Sequence, residues 1–420
     1  MPEAKNSQLF LGRQPILGPD QQIYGYELLF RNGEPGNGNS AGILDPTQAT
    51  STVIANTFAE LSISDPLGSC RRFINVGHDF LFSELIEILP KEIVTLEILG
   101  SIMPSPEVVA RCQYLRSKGY ALAIDDVVQV DEQSRPLLAL ADIIEVDIMR
   151  IDADRLAALV AELKTFGKKL LALKVETPEQ FALCQSLGFD LFQGYFFAKP
   201  TIVSGKKLNP SQLVLISLLG LVMEDAETSR IENAFKLEPG LTVNMLRLTN
   251  SVSSGLAIKI TSLRHAITLL GRRQIQRWLQ LLIYTNPKGA TQSNDPLLQL
   301  AATRGRLMEL LAERVQPKNR EFCDQAFMVG IMSLMPALLG MGMPDILTQL
   351  PVSPQVRLAL SEHGGQHGQL LRIVETTEQS EPALQEENLG KLPVINSEFL
   401  GNCLAHALSW ANNLGHESEP

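Results

Sequence analysis

Acidic and amide side chains recur just after short apolar runs in the first half of the chain. Seven of them lie at or just past the end of such a run: Glu27, Asn75, Glu97, Asp125, Asp126, Asp147 and Glu176. Oxygen ligands that converge from separate strands could bind Mg²⁺ or Mn²⁺ and activate a water molecule. The alternative is that they are ordinary polar residues at the points where strands meet solvent. The choice between the two depends on the elements that position these side chains.

The first half alternates short β-type runs with helical patterns. Stretches 105–119 and 177–188 each begin with a Ser or Thr suited to an N-cap and end in Gly. Alternating strands and helices predict a parallel sheet, and eight strands predict a closed α/β barrel. Only GPDQ joins the first two strands, which predicts an antiparallel hairpin. The eight strand-like runs are 10–17, 22–30, 71–76, 93–99, 120–125, 143–148, 169–175 and 191–197.

After residue 200 the β-type alternation stops, and helical segments follow one another to residue 413. The sequence therefore predicts domains at 1–204 and 205–420, the second all-α. Within the second domain, helices are predicted at 261–270, 272–284 and 320–339, among others. The polar, acidic stretch 375–390 is predicted to be a loop.

Composition narrows the class of protein. The five dispersed cysteines contain no CxxC pair, which fits a reducing cytoplasm and argues against a disulfide framework or structural zinc. Neither a signal peptide nor an apolar run long enough to span a membrane is evident, so a soluble cytoplasmic protein without membrane insertion is expected. Residues 1–205 carry 17 Lys and Arg against 26 Asp and Glu. Such an acidic half repels a phosphate backbone, and nucleic acid is not an expected partner.

Ordered motifs in the first half resemble the EAL-type cyclic-di-GMP phosphodiesterases. The stretch 14–31, QPILGPDQQIYGYELLFR, is similar to the opening of these enzymes, with Glu27-Leu28-Leu29-Phe30-Arg31 at the Glu-Ala-Leu-x-Arg signature. The resemblance covers about residues 8–202 and implies a TIM-like EAL barrel with an antiparallel first strand. Six further matches follow in the family's order: FINV (73–76), LEIL (96–99), AIDD (123–126), IIEVD (143–147), KVET (174–177) and LFQGYFFAKP (191–200).

This resemblance also implies roles for individual residues. In the family a metal-bound water attacks a phosphodiester, helped by a lysine and by carboxylates that act as metal ligands or base. Gln14 and Arg31 match family positions that contact the dinucleotide. The family's metal-binding positions are matched by Glu27, Asn75, Glu97, Asp125 and Asp126, and its last carboxylate by Glu176.

Three positions depart from the family pattern. The lysine of the family's K-x-D motif is Glu145, an anion where developing phosphoryl charge needs a cation. A family carboxylate is replaced by Leu173, and the second glutamate of Glu-x-x-Glu by Gly100. The chain is therefore expected to lack a complete set of catalytic residues. No cofactor is expected, although binding of Mg²⁺ or Mn²⁺ remains an alternative. Lys174 is a new cation that could pair with Glu145 or face solvent.

The second half resembles an HDOD domain, a relative of the HD phosphohydrolases that lacks their metal site. The similar stretches are 241–279 and 326–340. Active HD enzymes hold metal with a His-Asp dyad and further ligands. The dyad position is occupied here by Ser333 and Leu334, so the resemblance implies no metal in this domain.

Together the two resemblances imply a bacterial signalling protein of the YuxH-type EAL–HDOD family. The missing groups predict a non-catalytic regulator or scaffold that contacts other signalling proteins. Two alternatives stay open: a receptor that binds cyclic-di-GMP without hydrolysis, and a residual metal-dependent phosphodiesterase. Because EAL-type barrels often pair with one another, the resemblance also implies a homodimer.

Overall fold

The structure is a computed structural model of the 420-residue chain. Its contacts divide the chain into two compact units. The predicted domain boundary at 204/205 lies outside the described residues, which are 9–32, 70–198, 210–236, 241–242, 245, 249, 262–284, 295–378 and 382–413.

Eight strands of the first unit close into a barrel. β1 is antiparallel to its neighbours β2 and β8, whereas every other neighbouring pair is parallel. The predicted TIM-like α/β barrel with an antiparallel first strand is therefore confirmed. The strands are β1 (Leu9–Leu17), β2 (Ile23–Asn32), β3 (Arg71–Val76), β4 (Val94–Ile98), β5 (Ala121–Ile124), β6 (Ile143–Asp147), β7 (Lys169–Leu173) and β8 (Leu191–Gln193).

Helices connect the parallel strands of the barrel. The Ser105 side chain accepts a hydrogen bond from the Val108 N–H and caps the second helix. Thr177 and Gln180 form a capping box at the start of the fifth helix, which ends at Gly188 in the left-handed conformation. The helices are α1 (His78–Phe82), α2 (Pro106–Ser117), α3 (Arg135–Leu140), α4 (Ala153–Lys164) and α5 (Pro178–Leu187).

The outward face of the strands packs against these helices. Leu96 and Leu122 of the strands share one core with Val108 and Leu115 of α2, and all four side chains are buried. Burying each such side chain contributes about 1.5–3 kcal/mol. This core holds the barrel rigid, so that the strand ends lie in a defined arrangement.

The second unit is helical, which confirms the predicted all-α region. Gly271, with φ 75°, interrupts one helix between the two that the sequence predicted at 261–270 and 272–284. The helix predicted at 320–339 breaks before Pro336, because proline cannot continue a helix from its interior. The described helices between residues 210 and 378 are α6 (Pro210–Met223), α7 (Thr228–Lys236), α8 (Leu263–Leu282), α9 (Pro296–Val315), α10 (Arg320–Met332), α11 (Met335–Leu339), α12 (Met343–Gln349), α13 (Pro354–Glu362) and α14 (Gly365–Glu378).

The C-terminal segment contains two further helices, α15 (Pro382–Gly390) and α16 (Ser397–Asn413). The prediction of a loop at 375–390 is therefore wrong, because α14 and α15 include most of these residues. The described residues after 375 form one compact unit with the described residues of 1–199 and 293–299. Helix α16 packs against β1, where Arg13 Nη1 donates to Asn412 Oδ1 at 2.9 Å. The compact units thus differ from the predicted division, and the assignment of residues after 375 to the HDOD domain stays a prediction.

Among the described residues, a single helical stretch meets the length and hydropathy of a membrane span. It runs from Arg320 to Leu339, and 61% of its apolar window is buried inside the protein. Burial of this extent is typical of a helix in a globular core.

Gly194 follows β8 in a conformation that excludes a side chain. Its φ is 147°, and a Cβ would lie 2.0 Å from the Val175 carbonyl oxygen. We expect Gly194→Ala to lower the free energy of unfolding by more than about 1 kcal/mol, because the backbone must move. Urea denaturation measures this change. Gly390→Ala is the control, since its added methyl meets no atom within 4 Å; equal stability of the two variants would contradict the prediction.

Candidate functional site

The interior of the barrel is lined in layers. Alternate residues of a strand point to the same face, so a residue two positions past an inward one also points inward. Asn75, Asp125, Glu145, Leu173 and Gln193 each lie two positions past a member of the inner core. The strand ends thus carry a mostly polar layer above an apolar one, whose residues are Ile16, Phe73, Ala123, Ile143, Leu171 and Leu191.

Glu27 is held by two amide side chains. Its carboxylate accepts a hydrogen bond from Asn75 Nδ2 and another from Gln193 Nε2, each at 2.7 Å. Gln193 Nε2 also donates to Gln14 Oε1 at 3.4 Å. Burial raises the pKa of Glu27, although both amide hydrogen bonds oppose the rise. Three predicted residues, Gln14, Glu27 and Asn75, therefore lie together.

Three further carboxylates converge on strands β4 to β6. Glu97, Asp125 and Glu145 each offer an oxygen within 4.8 Å of the others. Glu97 is 4% exposed and Glu145 1% exposed, so burial disfavours the charged form of both carboxyls.

The electrostatic cost of this convergence appears in the pKa values. Burial raises the pKa of Glu97 well above its usual value, and the charge of Glu145 adds to the rise. Burial likewise raises the pKa of Glu145, with further contributions from Asp125 and Glu27. The pKa of Asp125 rises to about 6 through burial and the neighbouring Asp126 charge. The three raised pKa values show that negative charge on Glu97, Asp125 and Glu145 is unfavourable in this arrangement.

The donor set fits a divalent cation. Glu145 Oε1 is buried and has no hydrogen-bond partner. Carboxylate oxygens are the ligands that Mg²⁺, Mn²⁺ and Ca²⁺ prefer. Of these three residues, Glu97 and Asp125 were predicted as metal-binding positions, whereas Glu145 was predicted only as an anion that prevents catalysis.

Two basic side chains flank the carboxylates and are ion-paired elsewhere. Arg150 pairs with Asp126, whose φ of 57° is left-handed. Lys174 Nζ lies 2.7 Å from Asp147 Oδ2, and the lysine side chain is 63% exposed. The alternative pairing of Lys174 with Glu145 is therefore wrong. The strand register explains it, because Asp147 lies opposite the residue just before the lysine.

Three other predicted residues are not members of this carboxylate cluster. Glu176 is exposed after β7, and its N–H donates to Gln180 Oε1. Arg31 lies on β2 opposite Phe10, and its side chain is outside the described part of the chain. Leu173 is half-buried at the end of β7.

Gly100 is tightly packed against the aspartate pair. A Cβ at this position would lie 2.8 Å from both the Asp125 carbonyl oxygen and the Asp126 Cβ. Backbone would have to move before any side chain could stand there. The glutamate that this position lacks cannot be restored by one substitution.

Two residues of the site were missed by the sequence analysis. Gln193 could have been found, because it lies two positions past the buried Leu191 on a predicted strand. No sequence signal marked Arg150, since its partner Asp126 is 24 residues earlier and on another loop.

In the helical unit, the position of the lost dyad is occupied by a buried arginine network. Ser333 Oγ accepts a hydrogen bond from Arg304 Nη1 at 2.7 Å, and Leu334 is buried. Arg304 Nη1 also lies 3.6 Å from Glu375 Oε1, whose second oxygen is 2.9 Å from His363 Nε2. Within the described residues the carboxylate group of the barrel is the one candidate metal cluster. The expectation that this unit binds no metal stays a prediction.

Comparisons with known proteins find one family for the barrel region and another for the helical region that follows it. The model of the EAL domain matches residues 2–200, and that of the HDOD domain matches residues 210–350. Protein YuxH of Bacillus subtilis is 31% identical over 97% of this chain and 99% of its own length. Cyclic di-GMP phosphodiesterase CdgJ of Vibrio cholerae is 31% identical over 89% of this chain and 85% of its own length. The structure of the PaMucR phosphodiesterase with c-di-GMP is 22% identical, with a TM-score of 0.38 over 49% of this chain and 94% of its own.

Proposed function

Since the chain belongs to the bacterial family whose members join an EAL domain to an HDOD domain, we propose that it is a non-catalytic regulator in cyclic-di-GMP signalling. It acts in the cytoplasm through contacts with other signalling proteins. The pathway is supported by the EAL domain and by the relative CdgJ, which is named as a cyclic di-GMP phosphodiesterase. The loss of hydrolysis is argued from this chain's own residues.

One observation carries the proposal: the buried acidic residue Glu145 lies beside Glu97 where the family has a lysine. Hydrolysis of a phosphodiester builds negative charge on the phosphoryl oxygens, and a positioned cation lowers that barrier. An acidic side chain in this place raises the barrier instead. Removing one such stabilising group typically costs about 10²–10³-fold in rate.

The neighbouring cations do not compensate for the missing lysine. Lys174 is ion-paired with Asp147, and Arg150 with Asp126. Drawing either toward a phosphate would leave its aspartate unpaired, and Asp147 is only 5% exposed.

The residues that would hold a divalent cation are Glu97, Asp125 and Glu145. Such a cation, when bound, polarises a water molecule and screens negative charge. The chain's own contribution is to surround that position with carboxylates and to leave the phosphate without a lysine. Binding a cation and hydrolysing a dinucleotide are therefore separate properties of this barrel.

The proposal is tested by titrating cyclic-di-GMP into the full chain with Mn²⁺ or Mg²⁺ and following both heat and linear product. We expect no product above the buffer control, while an intact EAL enzyme assayed in parallel gives product. A pull-down with the full chain as bait should retain another signalling protein.

The other outcomes separate the alternatives. Heat without product supports a receptor, and that heat should then disappear in Arg31→Ala. Product at the rate of the intact enzyme would overturn the proposal. A residual enzyme would show slow turnover that is abolished by Glu27→Ala and increased by Glu145→Lys.

A further inference from the structure

The carboxylates on β4, β5 and β6 have the spacing of a ligand set. One oxygen each from Glu97, Asp125 and Glu145 lies within 4.8 Å of the others. Oxygens bound to one Mg²⁺, Mn²⁺ or Ca²⁺ are at most about 4–5 Å apart, because each metal–oxygen bond is about 2.0–2.6 Å long. A single ion can therefore contact all three side chains after small movements.

A second observation points to a ligand at this position. Glu145 Oε1 is buried without any hydrogen-bond partner, in a residue that is 1% exposed. Leaving a carboxylate oxygen unpaired in the protein interior is unfavourable, and native structures rarely do so without an ion or water. The oxygen belongs to the residue that completes the group of three.

The described basic side chains near these carboxylates have other partners. Among the described residues, the basic side chains nearest the strand ends, Arg150 and Lys174, are ion-paired with Asp126 and Asp147. Glu27 is a weaker candidate ligand, because both of its oxygens accept hydrogen bonds from amides. No basic side chain in the described part of the chain is ion-paired with Glu97, Asp125 or Glu145.

We propose that Glu97, Asp125 and Glu145 bind one divalent cation, with Glu145 as a direct ligand. The residue at 145 thus changes role relative to the family pattern. A lysine at this position cannot be a ligand while charged and repels a metal ion, whereas glutamate adds an oxygen and a negative charge. The ion binds without a nucleotide, since all three proposed ligands belong to the protein.

Manganese is the probe for this site. The full chain is freed of metal with EDTA, dialysed and titrated with MnCl₂ in the absence of nucleotide. Free Mn²⁺ is followed by electron paramagnetic resonance, and heat by calorimetry. We expect one tight site per chain, and a loss of affinity of about tenfold or more in Glu145→Gln, because a first ligand matters at least as much as its supporting residues.

Glu179→Gln is the matched control, because Glu179 is exposed on α5 and is not one of the three clustered carboxylates. Its affinity for Mn²⁺ should equal that of the wild type, and circular dichroism verifies that both variants are folded. Three results would overturn the inference: no Mn²⁺ site in the wild type, unchanged affinity in Glu145→Gln, or equal weakening in Glu179→Gln. The titration measures metal binding and not hydrolysis. The metal site can therefore be absent while the proposed function holds, and it can be present while the proposed function fails.

Discussion

Arg304→Ala is expected to lower the free energy of unfolding by about 3–5 kcal/mol, the usual cost of removing one partner from a buried ion pair. The arginine side chain is 2% exposed and contacts both Ser333 and Glu375. Burial raises the pKa of Glu375, but the His363 hydrogen bond and the Arg304 charge outweigh it, so its pKa is lowered. Without the arginine, this half-buried carboxylate loses a cation and the helices lose a large packed side chain.

Urea denaturation followed by circular dichroism measures this loss. Arg273→Ala is the control, because Arg273 is 52% exposed and pairs with Asp324 at the surface of the same unit. An exposed pair of this kind contributes less than about 1 kcal/mol. The double variant Arg304→Met with Glu375→Gln should recover part of the stability, since the buried guanidinium and the carboxylate that it faces are then removed together. If Arg304→Ala were as stable as Arg273→Ala, the buried network would have no structural role.

Glu145→Gln is expected to raise the free energy of unfolding of the metal-free protein by about 1–3 kcal/mol at neutral pH, which is the scale of an unsatisfied buried polar group. Burial and nearby carboxylates raise the pKa of Glu145 and of Glu97 in the folded protein. A glutamine removes one acid from the group and offers an N–H donor to its neighbours. The variant proposed to lose the metal site should therefore be the more stable protein when metal is absent.

The effect of pH has a defined sign. Because the folded-state pKa of Glu145 is raised, the unfolded chain loses its proton first as pH rises above the usual glutamate value. The free energy of unfolding of the wild type therefore falls as pH rises, and the advantage of Glu145→Gln grows from pH 5 to pH 8. Thermal denaturation in EDTA at each pH measures it.

Glu179→Gln again serves as the control, and a change within about 0.5 kcal/mol is expected at every pH. Adding Mn²⁺ should reverse the order, because a ligand that binds only the folded state stabilises the wild type. A Glu145→Gln variant that is less stable than the wild type in EDTA would mean that the carboxylate contributes favourable contacts that the structure does not contain.

The barrel was predictable from sequence because its signals are local. Each strand run is short and apolar, and the caps at Ser105 and Thr177 contact residues only three positions away. The same locality explains the errors in the second half. Whether Gly271 ends a helix or interrupts one depends on the helices around it. Residues 375–378 and 382–390 lie in helices although the stretch is polar.

The set of candidate site residues was predicted in part. Periodicity and family resemblance singled out Glu27, Asn75, Glu97 and Asp125, and all four lie in the inward layer or bond to it. The partner of Lys174 could not be derived, because it depends on the register between β6 and β7. Register is set by packing across the whole barrel.

The sequence by itself determined the order of elements, the eight-stranded barrel, the helical region that follows it and the replacement of a lysine by Glu145. Only the tertiary structure decided what Glu145 contacts: its oxygens lie beside Glu97 and Asp125, which are 48 and 20 residues earlier in the chain. It also decided that α16 packs on β1 and that Arg304 reaches Ser333. The physical reason is that secondary structure follows from neighbours in sequence, whereas charge, burial and ligand geometry depend on residues that only folding brings together.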